Sequence, residues 1–533
     1  MTYTSFAYLV FAAVCVGVYY CFPKKLRWCV LLAASAGFYA IVCLKYMAFI
    51  LITALSTFDG GLILDMYIKK TDKYIKSKKG KWSKEERNAY KAKVTRNKKL
   101  MVTAVLVLNF GILAYLKYFN FFVDIINPLI NHFGLKMPHL GLFLPLGISF
   151  YTFQSMGYII DIYRGKYEAQ TNFAKFALFV SFFPQIVQGP ISFYSQLAGQ
   201  LYEGHDLKFD NIKQGVLLIL WGFFKKLVIA DKLVTAVTTV PNEYEKHTGM
   251  VVLMTALMYA VQLYMDFSGG IDISRGVAQL FGIDMAENFK RPYFSKDISE
   301  YWHRWHITLG AWLREYLFYP VAMSKAFQKF AKFLKKHFGM KISKVLPVSI
   351  ASLITFLVVG IWHGANWKYV AFGLWNGLII MFSTLFEDGF VSVKKKLHIE
   401  KDNKGFIFFQ MVRTFFIVLV GYYFDIAPGF KAAIGMMKKS VSNLNIWEVF
   451  TSGFYQNLQI GKKDALMAVF ATFVVLIVSI IQEKHPEKTL RERICAKGFI
   501  WESAAFIVLL FSVLIFGTYG PGTNPADFYY MQF

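Results

Sequence analysis

Apolar runs long enough to cross a bilayer recur along almost the whole chain, at 6–22, 28–44, 46–68, 100–126, 142–162, 173–194, 250–281, 345–382, 406–424, 465–481 and 499–519. A helix needs about 20 apolar residues to cross the hydrocarbon core. In lipid every backbone N–H and C=O must find its partner inside the protein. The pattern therefore predicts an all-α polytopic membrane protein, with 1–533 as one integral membrane domain. Composition agrees, since 56% of the residues are hydrophobic and 18% aromatic, more than a soluble core of this length uses. Five cysteines, four of them in or beside the first two runs, show no paired metal spacing and no disulfide framework.

The net charge of +26 would suit a nucleic-acid partner, but the positive residues lie between apolar runs, as the positive-inside rule requires of membrane loops. No nucleic acid is expected. The 6–22 run has neither a basic residue before it nor a small-residue cleavage site after it, so it reads as a retained helix. Pro23-Lys24-Lys25-Leu26-Arg27 follows, which puts that cluster in the cytoplasm and the N-terminus outside. A tight hairpin, 28–44 and 46–68, leads to a cytoplasmic loop at 69–99 with 14 Lys/Arg against 3 Asp/Glu. That loop reads as a topology signal touching anionic lipid heads, or as a docking surface for an acidic carrier protein. A second basic loop at 325–344 returns to the same side.

Several runs are interrupted. Asn127-Pro128 closes the 100–126 span, and Leu144-Pro145-Leu146-Gly147 and Gly189-Pro190 mark broken or re-entrant helices. Lys225, Lys226, Asp231 and Lys232 stand within apolar 212–240. Charges there imply interfacial snorkelling, a wet cavity or contact with an anionic donor. Asp266 and Asp272 stand inside the 250–281 span, where pairing with a cation is the usual explanation; Gly269-Gly270 between them should loosen the helix. The 425–464 segment has no clear span, and the aromatic tail at 527–533 is expected at the interface.

The stretch 262–376 holds two blocks where ionisable residues stand beside aromatics: Tyr301-Trp302-His303-Arg304-Trp305-His306 and Gly360-Ile361-Trp362-His363-Gly364-Ala365-Asn366. This is the expected catalytic region. Residues 298–319 read as one amphipathic helix stopped by Pro320, with Glu300 and Arg304 as an i,i+4 pair. His303 and His306 would then share a face, but no Cys or carboxylate at ligand spacing accompanies them, so no metal site is expected. His363 follows a run without charge from 345 to 362. On the residues alone it is either a buried histidine bonded to a neighbouring helix or the base of an acyl transfer inside the membrane.

The ordered blocks Gly222-Phe223-Phe224-Lys225-Lys226, Gln262-Leu263-Tyr264-Met265-Asp266-Phe267-Ser268-Gly269, Glu287-Asn288-Phe289, Tyr301 to Trp312 and Gly360 to Asn366 run nearly end to end. In them the chain resembles the membrane-bound O-acyltransferase (MBOAT) superfamily, and within it the alginate O-acetylation membrane protein group. It departs at His303, where relatives often carry Arg or Asn, at Gly270, where Tyr is common, and at Gly310, where Ser is common. The resemblance implies roughly 11–12 transmembrane helices, some broken, around a central tunnel, with His363 the essential histidine and His306 the supporting one. It implies no tightly bound cofactor. The acyl donor would be a cytoplasmic thioester, acetyl-CoA or an acyl carrier protein. The acceptor would be a hydroxyl of an exported or cell-surface polysaccharide, reached directly or through an extracytoplasmic SGNH-hydrolase-like partner. Asn366, Trp302, Arg304 and Asp266 are the expected supporting residues, the first two as oxyanion donors with His306. The competing readings are D-alanyl transfer to teichoic acid, a lipid acyltransferase, and a transporter without chemistry, whose broken helices and midmembrane charges would look alike.

Overall fold

The computed structural model describes residues 2–400 and 403–519; the aromatic tail at 527–533 lies outside them. The chain is 81% helical, and among the described residues it forms no strand beyond one isolated bridge. Eight stretches are long and apolar enough to cross a membrane among those residues, and the first of them, Lys24–Ser77, holds two successive helices. Shorter apolar helices at Phe6–Cys21 and Phe173–Ile186 add to these. The architecture is that of an all-α polytopic membrane protein.

Two compact units make up the chain: Met1–Ile212 with Val277–Ala286, and Lys213–Gly276 with Glu287–Phe533. The first is held by an aromatic core in which Phe183 packs against Tyr8, Phe11 and Phe38, with ring centroids 5.3 to 6.4 Å apart. Its basic 69–99 segment is not an open loop. The helix Met47–Ser77 carries the first lysines, a turn follows, and Lys84–Ile130 begins inside the segment. Lys, Glu, Ala and Arg are good helix formers, and a capping box between Ser83 and Glu86 starts the second helix. That helix runs through Pro128 and ends two residues later. The expected break before Ile148 is present. Gly147 has φ 69°, and a Cβ there would stand 2.3 Å from the Ile186 carbonyl oxygen, so only glycine fits.

The second unit carries both histidine blocks. Gly249–Leu280 is unbroken, so Gly269 does not loosen it. Gly269 instead lets another backbone approach, since a Cβ there would meet the Gly222 carbonyl at 2.9 Å. Opposite it the chain runs through Phe209–Phe223, a π-helical turn Phe224–Ala230, and Asp231–Thr239. The basic 325–344 segment is also helical: Lys325–His363 continues through it with one kink at Gly339, φ 85°. Within 425–464, between the end of Lys404–Ile426 and the start of Lys462–Lys484, the described residues form the short helices Phe430–Ser442, Ile446–Phe450 and Ser452–Asn457.

Candidate active site

His363 is the last residue of the helix Lys325–His363 and is buried. After three connecting residues Trp367–Leu385 begins, and the two helices pack backbone to backbone: a Cβ on Gly360 would lie 2.2 Å from the Tyr369 carbonyl oxygen and 3.0 Å from the Gly373 amide nitrogen. Small residues are what permit such approach between helices in lipid. The imidazole is walled by Trp362, Tyr369 and Phe372, with ring centroids 5.3, 6.2 and 5.1 Å away. It lines a small cavity of about 20 Å³, shared with Trp302, Asn376, Tyr301, Tyr422 and Asp425. That is room for about one water.

Trp302 is brought to this cavity, and its indole N–H donates to Asn376 Oδ1 at 3.1 Å. Asn376 Nδ2 in turn donates to the Phe372 carbonyl. Asp425 is buried. It accepts from Tyr259 at 2.6 Å on one oxygen, while the other has no protein partner. Tyr422 joins the hydroxyls of Tyr301 and Tyr293 at 2.8 and 3.1 Å. Asn366 is placed differently from the expectation: its side-chain oxygen caps the next helix by accepting from the Lys368 amide.

Residues 298–319 are not one helix. Ile298–Arg304 stops, Trp305 is extended, His306 takes φ 46°, and Ile307–Leu313 follows. The break has a partner elsewhere in the chain. Trp305 forms a bridge with Phe289, the Lys290 amide donates to the Arg304 carbonyl, and the Ile307 amide donates to the Asn288 carbonyl. His303 and His306 therefore do not share a face. His303 is exposed on its own helix, its ring nitrogen 2.7 Å from the Ser299 carbonyl. His306 is buried, with Nδ1 3.2 Å from Asn288 Oδ1 and its ring against Phe267 and Trp362. Left-handed backbone at a non-glycine residue is strain of the kind functional sites hold. Pro320 does not end the segment, which runs on to Ala322.

Neither His306 nor Arg304 lies in one of the eight spans. Burial pushes the His306 pKa down from 6.5 to about 3, and the His363 imidazole adds to the effect; His306 is therefore neutral. Burial works against the Arg304 charge, but Glu483 and Glu300 outweigh it and hold its pKa above the usual guanidinium value. The expected Glu300–Arg304 pair is present at 2.7 Å, and Glu483 bonds both Arg304 at 2.9 Å and Arg291 at 2.6 Å. Asp266 pairs with Lys226 at 2.5 Å, and Lys226 also reaches Asp231 at 2.8 Å. Lys225 reaches Asp272 at 2.8 Å. Lys226 and Asp266 are fully buried, so these lysines pair within the protein rather than snorkel.

Asn288, Asn376 and Asp425 had no role in the sequence reading. An asparagine or aspartate inside apolar sequence is costly in lipid and marks a partner; for Asn376 and Asp425 that signal was available. For Asn288 the only signal was its place in the Glu287-Asn288-Phe289 block. Among the described residues no group of three or more His, Cys, Asp or Glu could hold a metal.

The second unit thus sets a neutral histidine beside a second one, in apolar walls and next to a small polar cavity, and an imidazole is a side chain able to exchange a proton with a hydroxyl. Comparison with known proteins makes the class specific. Residues 168–425 match the model of MBOAT, the membrane-bound O-acyltransferase family. The chain is 31% identical over 429 residues to "Probable alginate O-acetylase AlgI" of Azotobacter vinelandii, covering 79% of this chain and 74% of the relative. It is 31% identical to "Peptidoglycan O-acetyltransferase" of Helicobacter pylori, covering 67% and 64%. It is 28% identical to "Teichoic acid D-alanyltransferase" of Bacillus subtilis, covering 57% and 73%. The chain belongs to the membrane-bound O-acyltransferase family and is a multi-pass O-acyltransferase.

Proposed function

We propose that this enzyme takes an acetyl group from a cytoplasmic thioester and delivers it across the membrane to hydroxyls of a cell-surface polysaccharide, directly or through an extracytoplasmic acyltransferase partner. The observation that carries the reading is His363, a buried imidazole at a helix end, sharing a cavity with Trp302, Asn376 and Asp425. Two of the relatives carry O-acetyl transfer in their names, which favours acetyl; the third favours D-alanyl as the alternative. The basic clusters at 24–27 and 69–99 support a cytoplasmic donor side and an N-terminus outside.

A hydroxyl is a weak nucleophile at neutral pH. As its oxygen attacks the thioester carbonyl carbon, its proton passes to the His363 imidazole, a step typically worth about 10²–10⁴-fold. Collapse of the tetrahedral intermediate breaks the carbon–sulfur bond, and His363 returns the proton to the departing sulfur. Trp302 and His306 stand nearest for the oxyanion, and either would have to give up its present bond, to Asn376 Oδ1 or Asn288 Oδ1, to donate to it. His363→Ala at equal membrane abundance tests the reading through the ester content of the surface polysaccharide. Loss of O-acetyl supports it. Loss of D-alanyl ester with unchanged acetyl moves the activity to the alternative, and unchanged esters refute acyl transfer through His363.

A further inference from the structure

The cavity beside His363 holds one group whose chemistry the reaction above leaves unused. Asp425, at the end of the helix Lys404–Ile426, is 3% exposed and lines the same space of about 20 Å³ as His363. Its two carboxylate oxygens differ. Oδ2 accepts from the Tyr259 hydroxyl at 2.6 Å, whereas buried Oδ1 has no protein donor. Lys368 donates to the backbone carbonyls of Asp425 and Ala427, both at 2.8 Å, and so brings an ammonium to the same helix end. A buried carboxylate oxygen without a donor keeps its full desolvation penalty, so a donor is expected at Oδ1.

The residues around the cavity narrow what that donor is. The Tyr293 hydroxyl donates to the Ala260 carbonyl at 2.6 Å, so it accepts at its 3.1 Å contact with Tyr422. Tyr422, donating there, accepts at its 2.8 Å contact with Tyr301. A hydroxyl has one proton, and all three are committed to this chain, which ends at Ala260. The Trp302 indole N–H is spent on Asn376 Oδ1, and one amide hydrogen of Asn376 on the Phe372 carbonyl. The His363 imidazole is the group on this wall whose proton changes in the reaction. A space of this size holds about one water, which needs two to four polar partners. Asp425 Oδ1, His363 and the second amide hydrogen of Asn376 give it three.

We propose that Asp425 is a positioning residue for His363, acting through one water that accepts the imidazole N–H and donates to Asp425 Oδ1. This rests on the acyl-transfer reading above. The ring nitrogen facing the water keeps its proton, which fixes the other nitrogen as the base. When that nitrogen takes the hydroxyl proton, the imidazolium forms with a carboxylate one water away, in surroundings where opposite charges attract more strongly than in water. Asp425 takes no proton itself. The proton passes from the acceptor hydroxyl to His363 and from there to the departing sulfur.

The test uses the full-length protein in phosphatidylcholine nanodiscs with its histidines isotope-labelled at nitrogen. Nitrogen NMR separates the two neutral tautomers, and the His363 signals are those that His363→Ala lacks. One tautomer is expected in the wild type and a mixture in Asp425→Asn, because an amide both accepts and donates. Surface ester formed per unit of folded enzyme should fall about 10²-fold in Asp425→Asn, less than the roughly 10⁴-fold lost where a carboxylate bonds the histidine directly. Val418 lines the cavity from the helix of Asp425. Val418→Ile leaves the carboxylate in place and adds a methyl group in the space of the water, so it should give the same mixture; it decides the matter if Asp425→Asn does not fold.

A single tautomer in both variants, or a mixture already in the wild type, overturns the proposal. Ester formation by Asp425→Asn within about twofold of wild type overturns it as well. The tautomer measurement needs no turnover, so the two readings fail separately. If His363→Ala loses surface ester while Asp425→Asn keeps both its ester and a single tautomer, the positioning role is wrong and the acyltransferase reading stands. If His363→Ala keeps its ester, the reading falls and the positioning role falls with it.

Discussion

Gly360→Ala should damage catalysis without touching a polar group. The new methyl carbon would start 2.2 Å from the Tyr369 carbonyl oxygen, with the Gly373 amide nitrogen and Cα at 3.0 Å. A carbon–oxygen contact needs about 3.3 Å, so the two backbones must part by roughly 1 Å. The hairpin is closed by only Gly364, Ala365 and Asn366, so the separation cannot be absorbed in a long connection and falls on His363, three residues along. Overpacking of this kind costs about 1–3 kcal/mol, and a misplacement of about 1 Å at a reacting group costs on the order of 10²-fold in rate. The assay is polysaccharide ester formed per unit of folded enzyme, with the thermal midpoint measured on the same preparation. Gly37→Ala is the control: it lies within a helix with nothing within 4 Å of its Cβ position, and alanine there should be neutral or stabilising by up to about 1 kcal/mol. Activity of Gly360→Ala within twofold of wild type would refute the reasoning, as would an equal loss in Gly37→Ala.

Lys226→Met leaves Asp266 and Asp231 buried without their shared cation. Removing one partner of a buried pair costs about 3–5 kcal/mol, and a change below about 1 kcal/mol in denaturation would contradict the pairing. Glu483→Gln releases Arg304 and Arg291 together; because the site is partly exposed the stability loss should be only about 1 kcal/mol, whereas turnover should fall severalfold as the Trp305-His306 break loses its tether. Glu487→Gln, an exposed acid on the following turn, should stay within twofold. Acid should destabilise the fold through His306. Its folded pKa, about 3, lies below the ordinary 6.5, so the unfolded chain binds more protons between those values. The stability is whole above about 6.5 and is lost as pH falls, by about 2 kcal/mol at pH 5. His306→Gln should flatten that slope, and an unchanged slope in circular-dichroism melts would remove the argument.

What could be read from the residues was whatever is local or compositional. Length of apolar runs and placement of lysines predicted helices in a membrane, and the Glu300–Arg304 pair followed from spacing alone. The break at Trp305-His306 was illegible because no glycine or proline stands between 298 and 309. What stops the helix is a set of backbone bonds from 288–290, a tertiary partner overriding local propensity. The basic segments at 69–99 and 325–344 failed in the opposite sense. Their charge marked them as loops between spans, but lysine is also a helix former, and with no glycine within them before Gly80 or Gly339 the helices simply continue.

The same logic explains why the polar partners of the site escaped notice. Asn288, Asn376 and Asp425 are 49 to 137 positions apart in sequence, and each acquires meaning only from what it faces: His306, Trp302 and the His363 cavity. In lipid an unmatched polar group is expensive, so a buried asparagine or aspartate in an apolar run needs a partner even when the partner cannot be named. Asn376 sits in Trp367–Leu385 between Trp375 and Gly377, and Asp425 ends a run of aliphatic and aromatic residues. Each by itself announces a site. On the proposed reading a histidine motif locates the proton chemistry, and the isolated polar residues of neighbouring spans locate the cavity in which it would work.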